Sequence, residues 1–248
     1  MDIKIIDEKE IFEVNENLNI RFEEVGLYTA LIIDDFYKNP EMVRELLIDI
    51  PSTERPNVKY SAVGRKIACN IDIRPLTDIF YDIITNYVDG CENHSYESFK
   101  ASFEQQSFAG NIIKEQDLLN IPNGTKVPHV DGMIEDFLNA QRGGKFVTGR
   151  SGVASLITLN TQEECAGGTA FFRFEGTQQP DSEYRDRIEL VDNYVTESVG
   201  QWEYIKTIPM KFNRLIIYPN YIFHTGHIEK GMGFDGKPLY RINQVVVP

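Results

Sequence analysis

His129 and Asp131 stand two residues apart in Pro128-His129-Val130-Asp131-Gly132, and His224 ends the run Tyr218-Pro219-Asn220-Tyr221-Ile222-Phe223-His224. An extended strand sends residues i and i+2 to the same face, so His129 and Asp131 can offer one imidazole and one carboxylate to a common point. A second imidazole from a distant strand would complete a metal site. Two histidines and one carboxylate on one face of an octahedral ion leave its other positions open, the arrangement used for oxygen activation at non-haem Fe(II). His227 is the fallback for the second imidazole, but an odd offset along one strand turns it away from His224.

These residues need a rigid frame, and the sequence places helices before strands. Asn39-Pro40 offers an N-cap and a first-turn proline, and Met42, Val43, Leu46, Leu47 and Ile50 repeat at helical spacing until Pro51. A second helix begins near Pro75, with Leu76, Ile79, Phe80, Ile83, Ile84, Tyr87 and Val88 as its apolar stripe before Asp89-Gly90. Residues 28–34 and 66–73 read as short strands. From about residue 100 the texture becomes β-rich, with segments at 102–113, 153–160, 169–174, 214–218 and 239–247 separated by turn residues. No helix falls between each strand and the next, which suggests an antiparallel sandwich or jelly roll rather than a βαβ fold. The charged stretch 175–210, with a helical pattern over 181–193, interrupts this rhythm as an insertion, either a lid over the site or a decorative loop.

At 248 residues, with 42% hydrophobic and 11% aromatic residues, the chain reads as a single globular domain over 1–248. Residues 1–99 form a helical and β support, and residues 100–248 form the core. The net charge of -13 repels phosphate backbones, so nucleic acid is not expected as a partner. Cys69, Cys91 and Cys165 are odd in number and widely spaced, which fits reduced thiols. The N-terminus lacks the blocks of a signal peptide and no apolar run has membrane-spanning length, so a cytoplasmic location without membrane attachment is expected.

Taken in order, the His129-Val130-Asp131 run, Leu159-Asn160, Gly167-Gly168-Thr169-Ala170-Phe171-Phe172, Tyr218-Pro219 leading to His224, and Arg241-Ile242-Asn243 resemble the landmarks of the 2-oxoglutarate and Fe(II)-dependent dioxygenases. The prolyl-hydroxylase-like branch is the nearest in pattern, over roughly residues 100–248. The resemblance implies a mainly β fold, a double-stranded β-helix (jelly roll, cupin-like) with N-terminal α-helices. His129, Asp131 and His224 would bind Fe(II), and Arg241 would pair with the distal carboxylate of 2-oxoglutarate. The planar fork of arginine can donate two parallel hydrogen bonds to a carboxylate. Many relatives carry a hydroxyl residue two positions after the arginine; here Asn243 stands, and its amide can donate to the same carboxylate. The interval from His224 to Arg241 is longer than usual for the family and holds a glycine-rich reversal at 231–236, which makes Lys230 a rival anchor.

The implied reaction uses O2 to hydroxylate a C–H bond of an amino acid, a peptidyl side chain or a small polar metabolite, releasing succinate and CO2. Asp131 favours hydroxylation over halogenation, because a halogenating relative needs a small residue there. Two other classes stay open. A zinc hydrolase could use the same ligands, and a jelly-roll binding or assembly module could carry the site without catalysis. Around the site, residues 183–194 and the cations Arg142, Lys145 and Arg150 are candidates for substrate selection.

Overall fold

The computed structural model describes residues 7–51, 65–68, 71–88, 95–113, 126–131, 152–189, 191, 195–227 and 241–246. Near the N-terminus lie α1 (Glu8–Ile11), β1 (Asn19–Val25), β2 (Tyr28–Asp34) and α2 (Pro40–Asp49). Next come β3 (Arg65–Ala68), α3 (Thr77–Tyr87, entered through a 3-10 turn at Arg74–Leu76), α4 (Tyr96–Phe103) and β4 (Phe108–Ile113). The remainder comprises β5 (Val153–Thr158), β6 (Gly168–Phe174), α5 (Tyr184–Arg187), β7 (Trp202–Pro209), β8 (Arg214–Pro219), β9 (His224–His227) and β10 (Arg241–Val246). All strand pairings are antiparallel, in a large sheet of order β1-β2-β8-β5-β10-β4-β3 and a small one of order β7-β6-β9. No helix among the described residues is long and apolar enough to cross a membrane.

Helices α2 and α3 follow the expected patterns. Pro40 opens α2, and Ile50, the residue before Pro51, turns extended (φ -65°, ψ 131°), as the proline ring requires of its predecessor. Asn39 occupies the cap position without a side-chain capping bond. Val43 and Leu47 of α2 join Phe80, Ile83 and Ile84 of α3 against Leu31, Ile33, Ile157, Leu215 and Ile242 of the large sheet. Each such side chain, buried completely, contributes about 1.5–3 kcal/mol, so this layer fixes the outer face of the sheet that carries Arg241.

Three expectations are corrected. Residues 102–113 do not form one strand: Ser95 caps α4 through the Ser98 N–H, and Phe99 and Phe103, four apart, bury one helical face before β4 begins at Phe108. Of the described residues in 66–73, those up to Ala68 belong to a strand, Arg65–Ala68, whereas Asp72 takes the backbone N–H and guanidinium of Arg74 and starts the 3-10 turn. The insertion 175–210 ends in a full strand, β7. Its alternation is broken by a bulge, since Phe171 faces Lys206 while Phe172 faces Tyr204, leaving Ile205 as the extra residue. Trp202 and Tyr204 thereby pack outward on Phe172, and Ile208 stays inside.

An ion cluster ties β2 to β8. Arg214 donates to both oxygens of Asp34 (2.5 and 3.0 Å) and to the Pro209 carbonyl (2.9 Å), with Lys211 at 3.4 Å from the same carboxylate. Burial alone would raise the Asp34 pKa, but hydrogen bonds and charge from Arg214 and Lys211 outweigh it and hold the carboxyl below its ordinary 3.8. Because the folded-state value is the lower one, the stabilisation is complete above the unfolded pKa and is lost as pH falls through the folded value. Asp34→Asn is expected to cost about 2–3 kcal/mol at pH 7, somewhat below a fully buried pair because Asp34 keeps a little exposure. Urea unfolding of both proteins at pH 7 and pH 3 checks this: the gap should shrink at pH 3.

Candidate metal centre

The sheet faces decide what points where. On the large sheet Ala30, Ile32, Ala154, Ile216 and Tyr218 turn inward toward Phe171 and Ile208 of the small sheet. Register places Asn243 beside Thr158 of β5, and Arg241 two residues earlier shares its face. On the small sheet His224 lies opposite Phe171. Arg241 reaches across the gap, donating to the Gly168 carbonyl at 2.8 Å and to Thr169 Oγ1 at 3.3 Å. Its guanidinium is buried, not a solvated charge on an edge strand.

His129 extends the small sheet beyond β9. Its N–H donates to the His224 carbonyl and the His224 N–H donates to the His129 carbonyl, both at 2.9 Å. The Asp131 N–H then donates to Asn220 O at 2.8 Å. Val130, between them, turns the other way into the aromatic layer of Phe172, Phe174, Trp202 and Phe223. The period of two thus holds: His129 and Asp131 meet His224, with one candidate ligand atom from each residue all within 4.8 Å of one another. Nε2 of His224 is 3.2 Å from Asp131 Oδ2, and Nε2 of His129 is 3.7 Å from Oδ1. Adjacent ligands of an octahedral ion at about 2.1 Å stand about 3 Å apart, so the first pair fits directly and the second needs a small ring rotation.

The donor set also fits in kind. His224 Nδ1 lies 3.0 Å from the Ile222 carbonyl; donating there fixes the tautomer in which Nε2 presents its lone pair to the centre. Two imidazoles and one carboxylate suit Fe, Zn, Cu or Ni rather than Mg or Ca, which prefer all-oxygen shells. Burial works against a charge on His224, but the Asp131 carboxylate and its hydrogen bond prevail and raise the pKa. His129 is pushed down to about 4, by desolvation first and then by repulsion from His224, with Asp131 opposing. Half of the His129 side chain is open to solvent (52%), so repulsion by His224 is the firmer of these causes. The centre is deep on the His224 side and open on the His129 and Asp131 side.

His227, the alternative ligand, does not join the group. It sits three residues along β9 with Nδ1 2.9 Å from Thr207 Oγ1. Asn243 is buried beside Thr158, and its Oδ1 has no hydrogen-bond partner among the described residues. Lys230, the reversal at 231–236, Tyr194, Arg142, Lys145 and Arg150 lie outside the described residues. The described part of 183–194 packs on the outer face of the small sheet, where Tyr184, Ile188 and Val191 meet Phe223 and Trp202. Val195 just beyond it donates its N–H to Lys126 O, so the segment buttresses the strand carrying His129. Cys165 is free, and burial pushes its thiol up to about 11, far from a nucleophile.

Sequence reading missed the backbone groups that aim the ligands, the carbonyls of Asn220, Ile222 and Gly168, because no side-chain type announces a carbonyl. Tyr218 was noted only as a landmark, although strand alternation from Ile216 marks it as inward.

The chain belongs to a family of unknown function, DUF6445, whose sequence model matches residues 16–240. The match takes in His129, Asp131 and His224 and stops one residue short of Arg241. No curated protein matches the sequence.

Proposed function

We propose that this protein is a cytoplasmic Fe(II)- and 2-oxoglutarate-dependent dioxygenase that hydroxylates a C–H bond of an amino acid, a peptidyl side chain or a small polar metabolite. The observation that carries the reading is that the small sheet joins both parts: β9 carries His224 of the His129, Asp131 and His224 donor set, and β6, paired with β9, receives the buried guanidinium of Arg241 at Gly168 and Thr169. A double-stranded β-helix is supported by the path of the chain between the sheets. β4 lies in the large sheet, the His129 segment on the small one, β5 in the large, β6 and β7 in the small, β8 in the large, β9 in the small and β10 in the large.

The residues have complementary tasks. His129, Asp131 and His224 would hold the ion, with Asp131 supplying one negative charge and leaving the remaining positions open. Bound iron and 2-oxoglutarate would supply the oxygen activation, with succinate and CO2 as products. Arg241, oriented by Gly168 and Thr169, would neutralise the distal carboxylate. Asn243 is buried on the same strand face two residues on, where its Nδ2 amide group would donate to the same carboxylate. Phe171 and Tyr218 wall the centre from bulk water on its closed side. The substrate would enter where His129 and Asp131 are exposed.

Anaerobic addition of Fe(II) and 2-oxoglutarate should produce a visible charge-transfer band, and admission of oxygen should yield succinate. Arg241→Ala is expected to weaken 2-oxoglutarate binding by about 10- to 150-fold, the value of a hydrogen bond to a charged group, with metal binding retained. Succinate formation that survived His129→Ala would overturn the ligand assignment.

A further inference from the structure

β1 is an edge of the large sheet, and all of its residues pair with β2 in unbroken register, from Asn19 opposite Asp34 to Val25 opposite Tyr28. Its other side carries no strand among the described residues. The turn Gly26-Leu27, with Gly26 at φ +74°, leaves so short a loop between Val25 and Tyr28 that these two must exchange both of their backbone hydrogen bonds. Alternation then commits the backbone of Asn19, Arg21, Glu23 and Val25 to β2 and turns the N–H and C=O groups of Ile20, Phe22 and Glu24 outward. The side chains alternate as well. Phe22 lies on the helix-covered face, 57% exposed, with its ring 6.4 Å from that of Tyr87 at the end of α3, which is itself 44% exposed. Arg21 and Glu23 occupy the opposite face, where Glu23 holds Arg21 at 2.9 Å and Lys206 of β7 at 2.8 Å.

Native sheets blunt their open edges with short strands, bulges or repelling charges. At the far edge of the large sheet β3 is only four residues long, and β7, an edge of the small sheet, has its bulge. β1 has neither device, and its charges attract a copy of themselves. Two antiparallel β1 strands related by a twofold axis at Phe22 set Ile20 against Glu24, Arg21 against Glu23, and Phe22 against Phe22. Every outward backbone group of Ile20, Phe22 and Glu24 then has a partner, each pair exchanging both N–H···O bonds. On one face the exposed aromatic rings meet, and on the other each Arg21 faces a carboxylate. A slip that centred the axis on Glu24 would set that carboxylate against itself, so the register is fixed.

We infer that β1 is a homodimerisation edge, through which two copies of this chain join their large sheets by antiparallel β1 strands centred on Phe22. The same patch serves both copies, as a closed twofold contact requires. No residue of β1 belongs to the metal centre, so the inference stands apart from the function proposed above. The contact is small, and the expected dissociation constant is about 10–100 μM.

The test is sedimentation equilibrium of the full-length protein over a range of concentrations, comparing wild type with Phe22→Ser, Arg21→Glu and Glu23→Arg. Phe22→Ser should raise the dissociation constant about 10- to 100-fold. Each charge reversal alone places like charges opposite one another in both pairs and should leave a monomer. An equimolar mixture of Arg21→Glu and Glu23→Arg should dimerise again, because opposite signs then face each other across both pairs. Thermal unfolding of each variant reports on the loss of the Glu23 to Lys206 bridge. Phe22→Ser removes no hydrogen bond or ion pair, so it decides the matter where a charge variant fails to fold. Wild-type protein that stays monomeric at about 0.5 mM, above the expected range, would overturn the inference. So would a dimer indifferent to Phe22→Ser, or a mixture of folded charge variants that remains monomeric.

Discussion

Asparagine in place of Asp131 is expected to leave the fold as stable as before, or more stable, while metal affinity falls more than about 100-fold, since even partners that only orient ligands are worth 10- to 100-fold. The two effects have one cause. In the metal-free protein with neutral imidazoles, His224 Nε2 and Asp131 Oδ2 face each other at 3.2 Å as two acceptors, an arrangement that only a proton or a cation reconciles. The raised pKa of His224 reflects that demand. An amide at 131 can donate N–H to the same nitrogen and relieve it without any ion. The backbone bond from residue 131 to Asn220 O is untouched by the exchange, so the strand keeps its place. Thermal unfolding of metal-free protein and a parallel Fe(II) titration check both halves. A variant that lost stability and metal affinity together would mean that Asp131 is a structural carboxylate, and one that kept its affinity would remove it from the ligand set.

The legibility of this centre in the sequence has a simple origin. His129-Val130-Asp131 carries its own geometry, because the pleat decides that the outer two residues share a face whatever the surrounding fold. The chain has four histidines, which limits accidental candidates, and the odd offset to His227 excluded that residue by the same pleat. The helices α2 and α3 were equally readable: proline and apolar spacing are local signals. What escaped was nonlocal. The strand β7 was hidden because its bulge at Ile205 breaks the period of two, and a bulge is visible only against its partner β6. Helix α4 was hidden because Phe99 and Phe103 precede an aromatic strand, so the change from a spacing of four to a spacing of two falls inside one apolar run. β1 escaped because its charged residues, Arg21, Glu23 and Glu24, mask a strand whose burial comes from pairing with β2. The inward direction of Arg241 needed the second sheet, since its burial depends on the Gly168 carbonyl from a strand more than seventy residues away.

That dependence makes Gly168 a backbone position with a large expected effect. Gly168 begins the central strand of the small sheet, facing Pro209 on one side and His227 on the other. A Cβ there would lie 2.0 Å from the Ile208 carbonyl oxygen and 2.9 Å from its carbon, both backbone atoms that no rotamer change can move. Gly168→Ala must therefore separate β6 from β7 or fail to fold, and a loss of about 3 kcal/mol or more is expected, at the upper end of overpacking costs. Gly176 provides the contrast: its φ of +83° also disfavours a side chain, but a Cβ there meets nothing within 4 Å. Gly176→Ala should cost only the strain of the left-handed backbone, about 1–2 kcal/mol. Since the displaced carbonyl of Gly168 is the one that orients Arg241, whatever Gly168→Ala protein folds should bind 2-oxoglutarate more weakly. The metal ligands should suffer less, because His224 pairs with Phe171, three residues further along the strand. Urea unfolding of the two alanine variants, with metal and 2-oxoglutarate titrations on the folded fraction, separates these effects. Equal stability of Gly168→Ala and Gly176→Ala would show that β6 and β7 do not approach as closely as their register requires.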